Sequence, residues 1–289
     1  MPRPLVVVDG PFVLYRSFFA LPDSIKGLDD QPVNALLGGA NLLLRLIADR
    51  DPRAVVVCFG AEAAAYRTEL YPPYHAARPP VPDALQWQFD HAEDFFGAFG
   101  WSSASDEHFE ADDLLGSYAT VEAAAGGKTQ IMTGDRDMYQ CADASTTVVF
   151  LKQGSAGFDD VDRDEVIKRY GIPPELVPDF IALRGDPSDG LPGAPGIGAK
   201  TAADLLGRHG SLEATLAAAD GERPRTAASL KEHADELVAF KDIATLRSVD
   251  VERPHDRPTD LDGGAGAADR LGMRRLAERL RAAGSVSDL

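Results

Sequence analysis

The sequence predicts an α/β fold: a doubly wound, mainly parallel sheet followed by a C-terminal helical region. Three observations carry this reading. Short apolar runs rich in β-branched residues recur at 5–8, 54–59, 130–132 and 147–151, and unbroken apolar strands are what a parallel sheet covered on both faces requires. Helical periodicity fills the intervals between them, at 33–49, 84–99 and 112–125. From about residue 161 the strand signals fade. Helices are then expected at 164–170, 174–183, 199–208, 212–219 and 226–245, and a last basic, amphipathic one at 267–283. The expected organisation is an α/β core over 1–160 and a helical region over 161–289.

With 289 residues, 44% hydrophobic and 26% charged, the chain can bury one large core with a smaller helical annex. No apolar run approaches the ~18–20 residues of a membrane span. MPRPLVVVDG enters a strand directly, without a signal-peptide pattern. Cys58 and Cys141 make neither a disulfide framework nor a zinc spacing. A cytoplasmic, monomeric protein with no membrane partner is expected. The 29 basic and 46 acidic residues give a formal −17. That balance argues against a broad basic footprint for nucleic acid. It leaves a solvated acidic surface, or carboxylates gathered for metal ions.

The positions of the carboxylates bear on that choice. Functional groups of a parallel sheet collect beyond the carboxyl ends of its strands. Asp9 follows the first apolar run, and Asp135 and Asp137 follow the third. Each alone reads as a turn residue or helix cap. Glu110, Asp112 and Asp113 open the 112–125 helix, where acidic residues also suit the helix dipole. Glu110 and Asp113 share a face at i, i+3 while Asp112 points elsewhere, so either the helix begins late or the groups serve two ions. Asp186 and Asp189 lie in the Gly/Pro-rich stretch 185–198. If these eight converge, two unit charges ~4 Å apart cost roughly 4 kcal/mol at an effective dielectric of ~20. Protonation or divalent cations must then relieve them. An all-oxygen set without His or Cys selects magnesium or manganese, and two such ions suit phosphodiester hydrolysis.

Two further segments point to nucleic acid. Tyr66, Arg67, Tyr71, Tyr74, His75 and Arg78 interleave rings and cations, a mixture suited to phosphate contacts and base stacking or to a surface loop packed on the sheet. Pro72, Pro73, Pro79, Pro80 and Pro82 interrupt any helix there. Between two helical runs, Gly193-Ala194-Pro195-Gly196-Ile197-Gly198-Ala199-Lys200-Thr201 has the form of a helix–hairpin–helix spanning about 174–208. Its glycines let backbone N–H groups approach a phosphate, and Lys200 adds a charge.

Together these blocks resemble the 5′-nuclease family, the 5′→3′ exonuclease domain of bacterial DNA polymerase I and free-standing flap endonucleases. VVVDGPFVLYRSFFALP (6–22), YRTELYPPYHAARPPVPDAL (66–85), FEADDLLG (109–116), TGDRDMYQ (133–140) and ALRGDPSDGLPGAPGIGAKTAADLL (182–206) carry it, in family order. The resemblance implies a PIN-like nuclease core that cleaves near the 5′ end of flapped or nicked DNA in bacterial replication and repair. It implies an arch over about 61–97, with Arg67 and Arg78 as arch cations and Arg16 near the reacting strand. Asp9, Glu110 and Asp112 would neighbour one magnesium or manganese ion. Asp113, Asp135, Asp137, Asp186 and Asp189 would hold a second. Gly196, Ile197, Gly198, Lys200 and Thr201 would grip duplex DNA, with a potassium or sodium ion at the loop. Tyr74, Arg184 and Arg208 add local contacts.

Three positions depart from the family pattern. Gly60 stands where an Asp usually follows the second strand, His75 where the arch has Lys, and Gly190 where Asn follows Ser-Asp. The first two leave open a structure-specific DNA-binding protein with weakened catalysis; an RNA-cleaving nuclease on a related acidic α/β scaffold is a further reading, against which the hairpin speaks.

Overall fold

The computed structural model describes residues 3–151 and 157–287. Six strands, β1 (Leu5–Asp9), β2 (Ala54–Gly60), β3 (Ser102–Asp106), β4 (Thr129–Met132), β5 (Thr146–Leu151) and β6 (Phe158–Val161), form one sheet in the order β3-β2-β1-β4-β5-β6. The first five run parallel and β6 pairs antiparallel with β5. The sequence predicts four of these strands. β3 escapes because SSASD has little apolar content and is half exposed at the sheet edge, and β6 because it is short and carries two aspartates.

Alternation along β1 fixes the two layers. Leu5 and Val7 face one core, with Leu114, Leu115, Phe180 and Leu205; Val6 and Val8 face the other, with Leu14, Leu43, Phe96 and Phe99. The second core is built under α1 (Gly10–Ala20), α2 (Asn34–Arg50), α4 (Asp83–Asp90) and α5 (Ala92–Gly97). The short α3 (Ala65–Leu70) and α6 (Ala111–Ala124) lie on the first. The helix expected over 84–99 is broken at His91 into α4 and α5.

The helical region continues the first layer with α7 (Arg163–Tyr170), α8 (Val177–Arg184), α9 (Ala199–His209), α10 (Leu212–Ala217), α11 (Pro224–Glu232) and α12 (Ala234–Ala244). The expected helix at 226–245 is two, divided at His233. An irregular strap then follows α6: Val249 N–H donates to Ser117 Oγ at 2.8 Å, and the Arg253 guanidinium meets Glu122 at 2.9 Å. It passes the N-terminal ends of β2 and β3, where Arg257 N–H donates to Arg53 O and Asp260 N–H to Phe99 O. α13 (Leu261–Arg270) and α14 (Arg274–Ser287) finally pack in the second layer with α2 and α5. They replace the single helix expected at 267–283, the break falling at Gly272 with φ +78°. Among the described residues no helix is long and apolar enough to cross a membrane.

Candidate active site

A cavity of about 1150 Å³ opens at the carboxyl ends of the strands, between residues 61–89, the start of α6, the turn after β4 and the loop after α8. Asp9, Glu110, Asp112, Asp135, Asp137, Asp186 and Asp189 all line it. Asp9 is the last residue of β1 and also caps α1. Its Oδ1 accepts the Phe12 N–H at 2.9 Å and its Oδ2 the Thr133 hydroxyl at 2.7 Å. The bland role and the site role coincide in one side chain.

Four carboxylates face one another here. Burial pushes the Asp135 carboxyl up to about 7, reinforced by Asp189, Asp9 and Asp186, although the Asp137 N–H donates to its Oδ1 at 2.8 Å. Burial drives Asp137 well above its ordinary range, and Asp135, Asp189, Asp186 and Asp112 add repulsion. Asp112 is raised in the same way, by burial and then by Asp135 and Asp9. Asp9 is raised by burial against the pull of Phe12 N–H, Thr133 and Arg78. The Oδ1 of Asp137 is buried with no hydrogen-bond partner. Among the described residues no three acidic, His or Cys side chains already stand close enough to ligate one ion. The carboxylates surround a shared cavity and do not form a closed cage.

On the arch side the structure revises two expectations. Arg67 is 3% exposed and is not a free arch cation. Its guanidinium lies 2.5 Å from Glu110 Oε2 and 3.2 Å from Asp113 Oδ1. Asp113 is wholly buried and lies outside the cavity lining, so the structure does not bring it to the cavity with the other carboxylates expected at the second ion. Tyr66 donates to it at 3.1 Å, as do the N–H groups of Glu110 at 3.1 Å and Arg247 at 2.8 Å. The two-face ambiguity is settled by α6 beginning at Ala111: Glu110 is its N-cap, Asp113 bonds back to Glu110, and Asp112 turns into the cavity. Glu110 lines the cavity, yet its oxygens also accept Ala64 N–H at 2.8 Å and the Tyr74 hydroxyl at 3.0 Å.

Across the cavity, Asp186 Oδ1 accepts the Ser188 N–H at 2.8 Å, and its Oδ2 lies 3.3 Å from Arg184. Asp189 Oδ1 meets Arg78 and His75 Nε2, each at 3.1 Å. His75 adopts a left-handed φ of 56° and stacks on Tyr74 at 3.8 Å, while its Nδ1 lies 2.9 Å from Glu62 O. His75 therefore ties the segment after α3 to the loop after α8 and to Glu62. The hairpin follows. Gly193, at φ +66°, stands so near Gly185 N that an added Cβ would lie 2.2 Å away. Gly196, Gly198 and Lys200 are exposed and Thr201 is partly so; Ile197 is buried, so it presents no side chain to a ligand. These five residues lie outside the cavity lining, as does Arg16 on α1.

Gly60 is explained sterically. A Cβ there would lie 2.5 Å from Ala111 N and from Glu110 C, so the start of α6 occupies the space a side chain would need. The reading from sequence missed Thr133, which braces Asp9, and the lining residues Phe12, Tyr15, Phe89 and Arg136. Only their place in the quoted blocks 6–22 and 133–140 could have suggested the first, second and last of these lining residues and Thr133.

Residues 4–171 match the family model described as 5′-3′ exonuclease, N-terminal resolvase-like domain, and residues 172–260 match 5′-3′ exonuclease, C-terminal SAM fold. A 5′-3′ exonuclease of Mycobacterium tuberculosis is 36% identical over 317 residues, covering 98% of each chain. DNA polymerase I of Mycobacterium bovis is 33% identical over 282 residues, 96% of this chain but 31% of the polymerase, so the chain spans about a third of such relatives. The fold is also similar to a bacteriophage T5 flap endonuclease solved with DNA and metal ions. There the TM-score is 0.66 at 17% identity, covering 96% of this chain and 98% of the other.

Proposed function

The chain belongs to the 5′-3′ exonuclease family, and from that premise we propose that it is a divalent-metal-dependent 5′ nuclease acting on flapped, nicked or 5′-overhanging DNA. One observation carries the reading: Asp9, Glu110, Asp112, Asp135, Asp137, Asp186 and Asp189 line one cavity at the strand ends, and one of them, Asp137, keeps a buried oxygen without a partner. The donors are all oxygen, which fits magnesium or manganese. Asp9, Asp112, Asp135 and Asp137 would hold such ions, with Asp186, Asp189 and Glu110 lining the same cavity. Bound divalent cations supply an activated water and charge stabilisation for in-line displacement at phosphorus.

The chain's own residues do the rest. Thr133 and Phe12 N–H fix both oxygens of Asp9. Arg67 and Tyr74 hold Glu110 beside the cavity. Arg78 lines the cavity on the arch side, where a phosphate would compete with Asp189 for its guanidinium. The exposed hairpin at Gly196–Thr201 would grip a duplex backbone through N–H groups and Lys200, and its loop would take a potassium or sodium ion. Arg16, beyond the lining, would meet the strand outside the cavity.

Incubating the protein with a labelled 5′-flap DNA and manganese tests the proposal. Release of 5′ fragments, abolished by a chelator, is the expected result. Tight DNA binding without cleavage in manganese would replace it with a structure-specific DNA-binding role, and cleavage confined to RNA flaps, run alongside, would replace the substrate.

A further inference from the structure

The cavity's cations are unequally occupied. Arg67 is paired with Glu110 and Asp113, His75 and Arg78 with Asp189, and Arg184 with Asp186. Arg136 alone among the described cavity-lining cations has no carboxylate within ion-pair distance, and its residue is exposed although its chain neighbours are Asp135 and Asp137. In a chain of formal charge −17, an arginine at the mouth of the most acidic cavity would find a local partner readily. Its guanidinium is thus left open to an anion from outside the protein.

Its surroundings narrow the partner. Arg136 opens the 3₁₀ turn Asp137–Cys141, whose Tyr139 ring lies 5.4 Å from that of Tyr170. The positive charges of Arg184 and Arg136 both act on the Tyr170 hydroxyl, against the burial that pushes it up to about 12. The Arg184 guanidinium stands 5.3 Å from the Phe180 ring and 5.8 Å from that of Tyr170, with its Nε buried and unpartnered. Both arginines thus border the side of the cavity where α8 leads into the hairpin.

We propose that Arg136 binds a backbone phosphate of the substrate strand between the carboxylate cavity and the hairpin, with Arg184 beside it. This rests on the nuclease reading and assigns the cavity a phosphate subsite distinct from its carboxylates. A guanidinium there presents a bidentate fork to two phosphate oxygens.

The test compares wild type, Arg136→Gln and Arg136→Lys for binding of a 5′-flap DNA in calcium, over a range of salt. Manganese binding without DNA is measured in parallel. The Gln variant should lose about tenfold in DNA affinity and flatten the salt slope by about 0.9, and Lys should recover part of both. Manganese affinity should be unchanged or tighter, because a repelling charge has gone. Unchanged DNA affinity and slope in the Gln variant would overturn the inference, as would a loss that merely follows weakened manganese binding. A wild type that binds no flap DNA overturns the nuclease reading and this inference together; a wild type that binds while Gln is indifferent overturns this inference alone.

Discussion

The Arg67 guanidinium lies 2.5 Å from the Glu110 carboxylate, with both side chains almost entirely out of water. One cation so placed pairs with Glu110 and Asp113 at once and fastens the segment after β2 to the start of α6.

Removing that cation leaves two carboxylates buried without a counter-charge. Arg67→Met should therefore destabilise the fold by about 3–5 kcal/mol, read as a shift in the urea midpoint. A loss below about 1 kcal/mol would mean that solvent reaches the pair.

Restoring the family's usual carboxylate should harm the protein. In Gly60→Asp the new Cβ meets backbone atoms of Glu110 and Ala111 at 2.5 Å, and the backbone cannot rotate away as a side chain would. Overpacking of this kind costs typically about 1–3 kcal/mol. The expected variant melts lower and binds manganese no more tightly; a higher melting temperature would show that α6 starts elsewhere in solution.

Asp135→Asn should separate activity from stability. Asn keeps an acceptor for the Asp137 N–H and removes a charge that Asp189, Asp9 and Asp186 oppose. Thermal melts without metal should move upward while flap cleavage disappears and DNA binding persists. Retained turnover would mean the acidic set is misassigned.

The same repulsion sets a pH dependence. Burial first, and neighbouring carboxylates second, raise Asp112, Asp135 and Asp137, and burial raises Asp9. The folded state then holds protons that the unfolded state has released. The contribution of these groups to stability is fully present below 3.8 and lost as pH rises towards about 7, the value for Asp135. Divalent cations bound as proposed would replace those protons. Manganese should raise the melting temperature more at pH 8 than at pH 5.5, and an equal rise at both would count against the carboxylates as its site.

Much of this was legible in the sequence because apolar strands and strand-end aspartates leave local marks. Val6–Val8 cannot be a solvent-facing run, and Asp9 must then stand at a sheet edge. The site residues that went unread depend on phase and on distant partners. One residue of helix phase decides whether Asp112 or Asp113 enters the cavity. Arg67 reads as a surface cation until Glu110, 43 positions away in the chain, is folded beside it. Ser102–Asp106 becomes a strand only because β2 offers an open edge, which no property of SSASD announces.

The strap that leaves α12, runs along α6 and rounds the amino ends of β2 and β3 joins the two hydrophobic layers at the end remote from the carboxylates. Neither layer can melt without untying it. The molecule should consequently lose its structure in one calorimetric step, while the opposite rim, at the cavity, is tied by His75 and Arg78 to Asp189.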